Sequence, residues 1–365
     1  MVSVQADAVG SGRVVRRFGP LVLRLAAGVT VLWLLVRLVG AAPFEHGLRA
    51  VTWPAVMAAA ALTALTTVCS AWRWRVVARA LGIGMGLPSA IGAYYRSLFL
   101  NSVLIGGVVG DVHRALTHGR RTGHVARGMR AVAWERLWGQ VTQAVVTAVV
   151  LLTVRSPVRP AAPYVLAGIA AIAGCAALVV RGAARRGRSR PVVIARAASD
   201  DLRRQLLAPD VWPRLVLASV LVVAGHTATF VLAARVAGCT APLGELVALL
   251  MVVQTAGSIP LTVGGWGPRE GAAAWAFAAA GLGAATGVTI ATLYAVLMLA
   301  AVVPGAGLLL RDTVLSGRRS PRVEPCPPAR RVIHDGAVAG VSSSAGRLAR
   351  DDQNREPHSN RWQRR

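Results

Sequence analysis

Long apolar runs are the feature that most constrains the fold of this chain. Leu215–Ala234 and Val288–Leu310 each match the roughly 20 residues that an α-helix needs to cross the hydrocarbon core of a bilayer. Backbone polar groups in lipid must bond within their own segment, so such runs form helices. The chain is 55% hydrophobic, too apolar for a soluble domain of this size, and no long alternation of period two indicates a β-barrel. We predict an all-α, polytopic helical membrane protein.

The apolar pattern predicts six full spans and two shorter, glycine-rich re-entrant hairpins, eight hydrophobic segments in all. The residues Trp72–Arg75 follow the second span and are interpreted as an aromatic and basic anchor at the membrane interface. We expect residues 1–20 to be a cytosolic N-terminus, 21–310 the membrane domain, and 311–365 a disordered basic cytosolic tail. The predicted spans are Leu21–Val39, Pro54–Ala71, Ala131–Val154, Tyr164–Val180, Leu215–Ala234 and Val288–Leu310.

The basic residues are distributed unevenly between the two predicted sides of the membrane. There are 41 of them, all arginines, and the formal net charge is +26. With the N-terminus inside, 33 arginines fall in the inside segments 1–20, 72–130, 181–214 and 311–365, and four fall in the outside links. This is the distribution that the positive-inside rule describes. The charge therefore indicates topology rather than nucleic-acid binding, and we expect a multi-pass plasma-membrane protein with both termini cytoplasmic.

The stretch Gln254–Gly271 interrupts the apolar pattern and ends in an adjacent charged pair. Prolines and glycines break any helix there, and Arg269 and Glu270 follow directly. Broken backbone at membrane depth is tolerated only where protein buries it or where it lines a water-filled cavity, and an ionisable pair there indicates a functional site. Arg269 could bind a phosphate group, because a guanidinium matches phosphate geometry. A structural ion pair that holds the hairpin together is the alternative.

A second break ends the predicted hairpin Ile91–Val109. Asp111 and Arg114 follow it at a spacing that could pair them on one helix face, although an ordinary helix start would look the same. Glu135 and Arg136 lie in the first turns of the third span and either face the same cavity or form an interfacial pair. The two hairpins enter from opposite sides, each after two spans and before a third. This order predicts an inverted repeat, as in many secondary transporters; a plain count of eight spans is the alternative.

Residue types typical of catalysis and metal binding are not grouped in the sequence. The cysteines Cys69, Cys175, Cys239 and Cys326 are scattered and form no CxxC pair. No segment resembles a nucleophile–base pair, a phosphate-binding loop or a metal cluster. We therefore expect no enzymatic activity, no metal and no cofactor.

In these motifs the chain resembles the lysylphosphatidylglycerol synthase transmembrane (flippase-like) family. The resemblance implies a membrane region associated with moving a modified lipid between leaflets; related regions occur in prenyl-linked sugar metabolism. Ile105 stands where the family commonly has a proline, and 365 residues leave no room for the soluble aminoacyltransferase domain of some members, so we do not expect lipid aminoacylation. The matching positions are Asn101, Gly106, Gly107, Gly110, Asp111 and Arg114; Glu135-Arg136-Leu137; Pro260, Gly264, Gly265, Gly267, Arg269 and Glu270; and Pro304-Gly305.

The function we predict is translocation or handling of a lipid with an anionic or phosphate head group. The expected partners are membrane lipids, either phospholipid or prenyl-linked, and a lipid-modifying enzyme. A non-transporting membrane partner of a lipid-linked glycosyltransferase and a small-anion transporter are the alternatives. The candidate substrate-binding residues are Arg269, Glu270, Asp111, Arg114, Glu135, Arg136, Asn101, Gly110, Gly264, Gly265 and Gly267.

Overall fold

A computed structural model describes residues 30, 33, 36–104, 107–185, 200–258 and 267–317. The regular elements in these ranges are helices, and no strand occurs among them. They are α1 (Ala42–Arg49), α2 (Trp53–Ala80), α3 (Leu87–Val103), α4 (Val109–Arg121), α5 (Val125–Thr153), α6 (Ala162–Arg185), α7 (Trp212–Val236), α8 (Leu243–Gly257), α9 (Pro268–Ala279), α10 (Ala284–Val302) and α11 (Pro304–Gly317), with a short 3₁₀ turn at Arg159–Ala161 and a π turn at Asp201–Leu206.

Three stretches of the described chain are long and apolar enough to cross a membrane. They are Trp53–Ala80, Trp212–Val236 and Ala284–Asp312, the last of which runs through α10 into α11. At 1.5 Å per residue the 28 residues of α2 extend about 42 Å, more than the roughly 30 Å hydrocarbon core. The predicted all-helical membrane class is confirmed, whereas the number of spans and the re-entrant course of the hairpins stay predictions.

Several predicted boundaries differ from those in the structure, and two of these differences change the interpretation. Helix α2 does not end at Ala71 but continues to Ala80, and Arg73 and Trp74 are buried in the protein. Within the predicted interfacial anchor Trp72–Arg75, protein contacts therefore enclose Arg73 and Trp74, whereas Trp72 and Arg75 are only partly buried, and the interfacial position of the segment stays a prediction. Helix α11 extends to Gly317, past the predicted boundary at Leu310. Residues 318–365 of the predicted tail and about two thirds of Leu21–Val39 lie outside the described residues.

Two pairs of short helices, α3 with α4 and α8 with α9, form helical hairpins. In the first pair, Gly110 lies so close to α3 that a Cβ atom on it would be 2.1 Å from the Ser97 carbonyl oxygen. In the second pair, Gly257 lies beside Arg269. The middle of helix α8, from Leu246 to Val253, is apolar on all sides and almost entirely buried, as expected for a helix at the centre of the fold.

The order of helices repeats, and the first helix of one set is antiparallel to the first helix of the other. A long helix, a hairpin and another long helix occur first as α2, α3/α4 and α5, then as α7, α8/α9 and α10. The corresponding helices α2 and α7 pack against each other, with Thr66 beside Gly225 and Arg73 bonded to Ser219. Residue numbers therefore rise along α2 as they fall along α7, so the two helices are antiparallel. This is the relation that an inverted repeat requires.

Candidate functional site

A cavity of about 670 Å³ lies between the two hairpins. Both helix breaks reach it, since Gly107 and Val108 of the first hairpin and Gly257 and Ser258 of the second line its wall. The remaining wall comes from α2, α3, α4, α5, α7, α8, α9 and α10. The fold therefore brings two breaks that are far apart in sequence to one chamber.

Asp111 is the carboxylate that lines this cavity among the described residues, and four side chains donate hydrogen bonds to it. Ser97 donates to its Oδ1 at 3.1 Å and Asn101 donates to its Oδ2 at 3.2 Å. Arg114 Nη2 also donates to Oδ1 at 3.0 Å, and Arg136 Nη2 donates to Oδ2. The Gly110 backbone N–H donates to Asn101 Oδ1 at 2.8 Å, which orients that amide. The absence of a side chain at Gly110 permits this approach of α4 to α3.

Glu135 lies behind the cavity wall and is completely buried. Its Oε1 accepts hydrogen bonds from Arg73 Nε and from the Tyr94 hydroxyl, both at 3.0 Å, and from Arg73 Nη2. Its Oε2 accepts from Arg114 Nη2 at 3.0 Å. A buried carboxylate is tolerated only with such pairing, so Glu135 organises the arginines and does not itself face the cavity.

Arg114 bonds both Asp111 and Glu135, and with Arg73 and Arg136 these residues form a charged cluster. Arg114 Nη2 lies 3.0 Å from both Asp111 Oδ1 and Glu135 Oε2. Its guanidinium carbon lies 4.5 Å from the ring centroid of Trp74 and 4.2 Å from that of Tyr94, which adds cation–π attraction on two faces. The side chain is fully enclosed and is held as a structural cation rather than presented to a ligand.

Arg73 is the member of the cluster that the sequence analysis missed. It bonds Glu135 on α5 and, through Nη1 at 3.0 Å, Ser219 on α7, and it lines the cavity. A signal for it exists in the sequence, because polar residues recur along α2 at helical spacing. These residues all line the cavity and are Thr63, Thr66, Thr67, Ser70 and Arg73.

The opposite side of the cavity carries the predicted pair Arg269-Glu270. Glu270 is fully buried, and its Oε1 accepts from Arg269 Nε at 3.0 Å and Nη2 at 2.7 Å. Its Oε2 accepts from the Gly267 N–H at 2.7 Å, at the start of α9. Gly267 has a φ of 132°, which a residue with a side chain rarely adopts. Arg269 lines the cavity and lies over the Tyr294 ring at 5.3 Å from its centroid.

The structure thus divides the predicted site residues into three groups. Asp111, Arg136 and Arg269 line the cavity. Arg114, Glu135, Glu270, Asn101, Gly110 and Gly267 support them from behind or from the side, through the hydrogen bonds given above. Gly264 and Gly265 lie outside the described residues, as do Gly106 and Pro260.

A neutral polar wall lines part of the cavity and was not predicted, while apolar side chains such as Leu98, Met129 and Val222 line other parts. The side chains of the polar wall can donate and accept hydrogen bonds but carry no fixed charge. His226 Nδ1, for example, lies 3.0 Å from the Tyr294 hydroxyl. This wall comprises Thr63, Thr66, Thr67 and Ser70 of α2 together with Gln140, Gln143, Ser219, His226, Gln254, Ser258 and Tyr294.

Positive charge exceeds negative charge in the described part of the site. Four arginines (Arg73, Arg114, Arg136 and Arg269) are paired with three carboxylates (Asp111, Glu135 and Glu270). Within the described ranges, no three His, Cys, Asp or Glu side chains are grouped as a metal site would need. The excess cation, beside hydrogen-bonding groups, suits an anionic ligand better than a cationic one.

A comparison with models of known protein families shows which family the chain belongs to. The family model of the lysylphosphatidylglycerol synthase TM region matches residues 21–305, which include both hairpins and every residue of the cavity described above. The chain belongs to this family. None of the curated proteins compared with the chain matches it significantly. Membership in the lysylphosphatidylglycerol synthase TM region family makes it a membrane protein related to lipid handling.

Proposed function

We propose that this chain translocates a lipid with a phosphate-bearing head group between the leaflets of the plasma membrane. The observation that carries the proposal is the cavity between the two helical hairpins, which is lined by neutral polar groups and by arginines on both sides, with an excess of one positive charge among the described charged residues of the site. Buried charge in lipid is costly, so a cavity of this kind is expected at a ligand pathway. The lipid would move its head group through the cavity, and the chain would act without catalysis.

Arg136 is the residue best placed to meet the head group. Its side chain is 43% exposed, compared with 15% for Arg269 and 6% for Arg73, although all three line the cavity. A guanidinium can bind phosphate through two parallel hydrogen bonds, and Arg136 Nη2 is held in place by Asp111. Arg269 would meet the phosphate from the opposite hairpin, while the glutamines and hydroxyls of the neutral wall would solvate the rest of the head group.

The lengths of the hairpin helices support a re-entrant course. At 1.5 Å per residue, the 15 residues of α8 and the 12 residues of α9 extend only about 22 Å and 18 Å, less than the roughly 30 Å hydrocarbon core. We therefore propose six full spans with two hairpins that enter from opposite sides, and both termini in the cytoplasm. A lipid-modifying enzyme that makes the transported lipid is the partner we propose.

Reconstitution tests this function directly. The full chain, purified and inserted into vesicles that contain fluorescent phosphatidylglycerol, should expose inner-leaflet label to an added membrane-impermeant quencher. Arg136→Gln should slow this exchange about tenfold or more, because a hydrogen bond to a charged group contributes about 1.5–3 kcal/mol. Arg155→Gln is the matched control, since Arg155 is exposed in the link between α5 and α6 and does not line the cavity.

The alternatives give different results in the same vesicles. Chloride or phosphate efflux without lipid exchange would assign the cavity to a small-anion transporter. The absence of both activities, in a correctly folded sample, would contradict transport and favour a non-transporting partner of a lipid-linked enzyme. Equal rates for Arg136→Gln and the unchanged chain would remove Arg136 from the pathway.

A further inference from the structure

A second, smaller pocket lies between the end of α2 and the start of α7, outside the central cavity. Its volume is about 360 Å³, and α2 contributes Trp72, Arg75, Val76, Arg79 and Ala80, while α7 and the residues before it contribute Asp210, Val211 and Arg214. The antiparallel packing of α2 and α7 places these two helix ends at the same side of the protein. The proposed lipid pathway uses none of these residues.

The pocket and the cavity occupy different faces of α2. The cavity takes the face that carries Ser70 and Arg73, whereas the pocket takes Trp72, Arg75 and Arg79. Residues three and four apart share a helix face, so 72, 75, 76 and 79 form one continuous strip. A ligand in this pocket would therefore not be the head group in transit through the cavity.

The charge of the pocket is unbalanced. Three arginines line it with one carboxylate, Asp210, and within the described ranges no salt bridge joins Asp210 to any of them. Arg75 is anchored, since its Nε donates to the Met85 carbonyl oxygen at 3.2 Å. Arg79 and Arg214 are exposed. Three guanidinium groups around one concave surface match the geometry and charge of a phosphate group.

The position of the pocket indicates which kind of molecule carries the phosphate group. It lies at the ends of two of the three helices that are long and apolar enough to cross a membrane. Trp72 lines it, and tryptophan is enriched at the level of lipid head groups. Basic pockets between transmembrane helices bind the head groups of anionic lipids. We propose that this pocket binds the phosphate of an anionic phospholipid resident in the adjoining leaflet, at a site separate from the transport cavity.

Native mass spectrometry of the full chain in mixed micelles can count the lipids that remain bound. The unchanged chain should retain phosphatidylglycerol in preference to phosphatidylcholine. The triple variant Arg75→Gln/Arg79→Gln/Arg214→Gln should retain one phosphatidylglycerol fewer than the unchanged chain. The affinity at this pocket should fall about fivefold for each arginine removed, the equivalent of about 1 kcal/mol per basic residue, while any lipid in the transport cavity stays bound. The same loss should occur whether or not lipid exchange is measurable, so the failure of the transport proposal would leave this result interpretable.

A matched control separates the pocket from the general surface charge. Arg120→Gln/Arg121→Gln/Arg127→Gln removes three exposed arginines around the turn between α4 and α5, none of which lines the pocket. The control should retain phosphatidylglycerol as the unchanged chain does, and equal loss in the two triple variants would overturn the proposal. A second result would also overturn the proposal: the unchanged chain retains both lipids equally and binds inorganic phosphate saturably, and the pocket variant loses the phosphate binding. That result would assign the pocket to a soluble phosphate compound.

Discussion

At the scale of single residues, Arg269 has two roles: it pairs with a buried carboxylate, and it lines the cavity. Its guanidinium bonds Glu270, which is completely buried, and it also lines the cavity. Anion binding and structural pairing were alternatives in the sequence, but the geometry makes them compatible. The consequence is that a simple alanine substitution would mix a folding effect with a functional one.

A pair of variants separates the two effects. Arg269→Ala should destabilise the protein by about 3–5 kcal/mol, because it leaves Glu270 buried without its cation. The double variant Arg269→Ala/Glu270→Gln should recover much of the stability, since a neutral amide at position 270 costs less to bury and can still accept from the Gly267 N–H. Thermal unfolding of the detergent-solubilised protein measures both values.

Lipid exchange in vesicles measures the effect of the same variants on function. The exchange rate should stay low in the double variant even though its stability is recovered. Arg49→Ala provides the control, because the Arg49–Glu45 pair is exposed, at 77% and 61%, and such pairs contribute little. Recovery of exchange together with stability would show that Arg269 has only a structural role.

At the scale of elements, the first hairpin depends on close packing of two helix backbones. Gly110 of α4 lies against the Ser97 carbonyl of α3, and the same contact allows Ser97 and Asn101 to bond Asp111. Small residues at helix interfaces serve the same purpose in other membrane proteins. The position of Asp111 in the cavity thus follows from the absence of a side chain one residue earlier.

Two glycine substitutions on this hairpin should have opposite effects. Gly110→Ala would place a Cβ atom 2.1 Å from the Ser97 oxygen, so we expect about 1–3 kcal/mol of destabilisation, together with reduced lipid exchange. Gly92→Ala on α3 meets nothing within 4 Å and should be neutral or stabilising by up to about 1 kcal/mol. Unfolding midpoints of the two variants check the sign, and equal midpoints would contradict the packing argument.

At the scale of the whole molecule, the helix packing places a cavity with polar lining groups beside an apolar core. The core around α7, α8, α9 and α10 contains Phe230, Leu250 and Phe277, which are buried. The cavity, in contrast, is lined by polar side chains such as Gln143 on α5. Both regions lie within helices, so exposure to water distinguishes them better than secondary structure does.

Cysteine labelling should reveal this difference. In a chain whose four cysteines are replaced, Gln143→Cys should react with a small water-soluble thiol reagent, because the side chain faces the cavity. Leu250→Cys should not react, because that position is fully buried among apolar side chains. Similar reaction rates at the two positions in folded protein would mean that the cavity is closed to water.

The sequence was most informative where a pattern is local. The helix breaks, the charged residues beside them and the Asp111–Arg114 spacing all follow from chain chemistry, and in the structure Arg114 Nη2 lies 3.0 Å from Asp111 Oδ1. Arg73 was misjudged because its neighbourhood, Trp72–Arg75, has the composition of an interfacial anchor. Which partner a buried arginine takes depends on contacts such as Glu135, 62 residues away, that no local window contains.

The sequence by itself determined the membrane class, the helical content and the two interruptions, because hydrophobic length and helix-breaking residues act within one segment. Only the tertiary structure decided which charges line the cavity and which support it. Antiparallel packing of α2 on α7 brings together residues from both halves of the chain, and the burial of a charge is a property of that packing rather than of the residue.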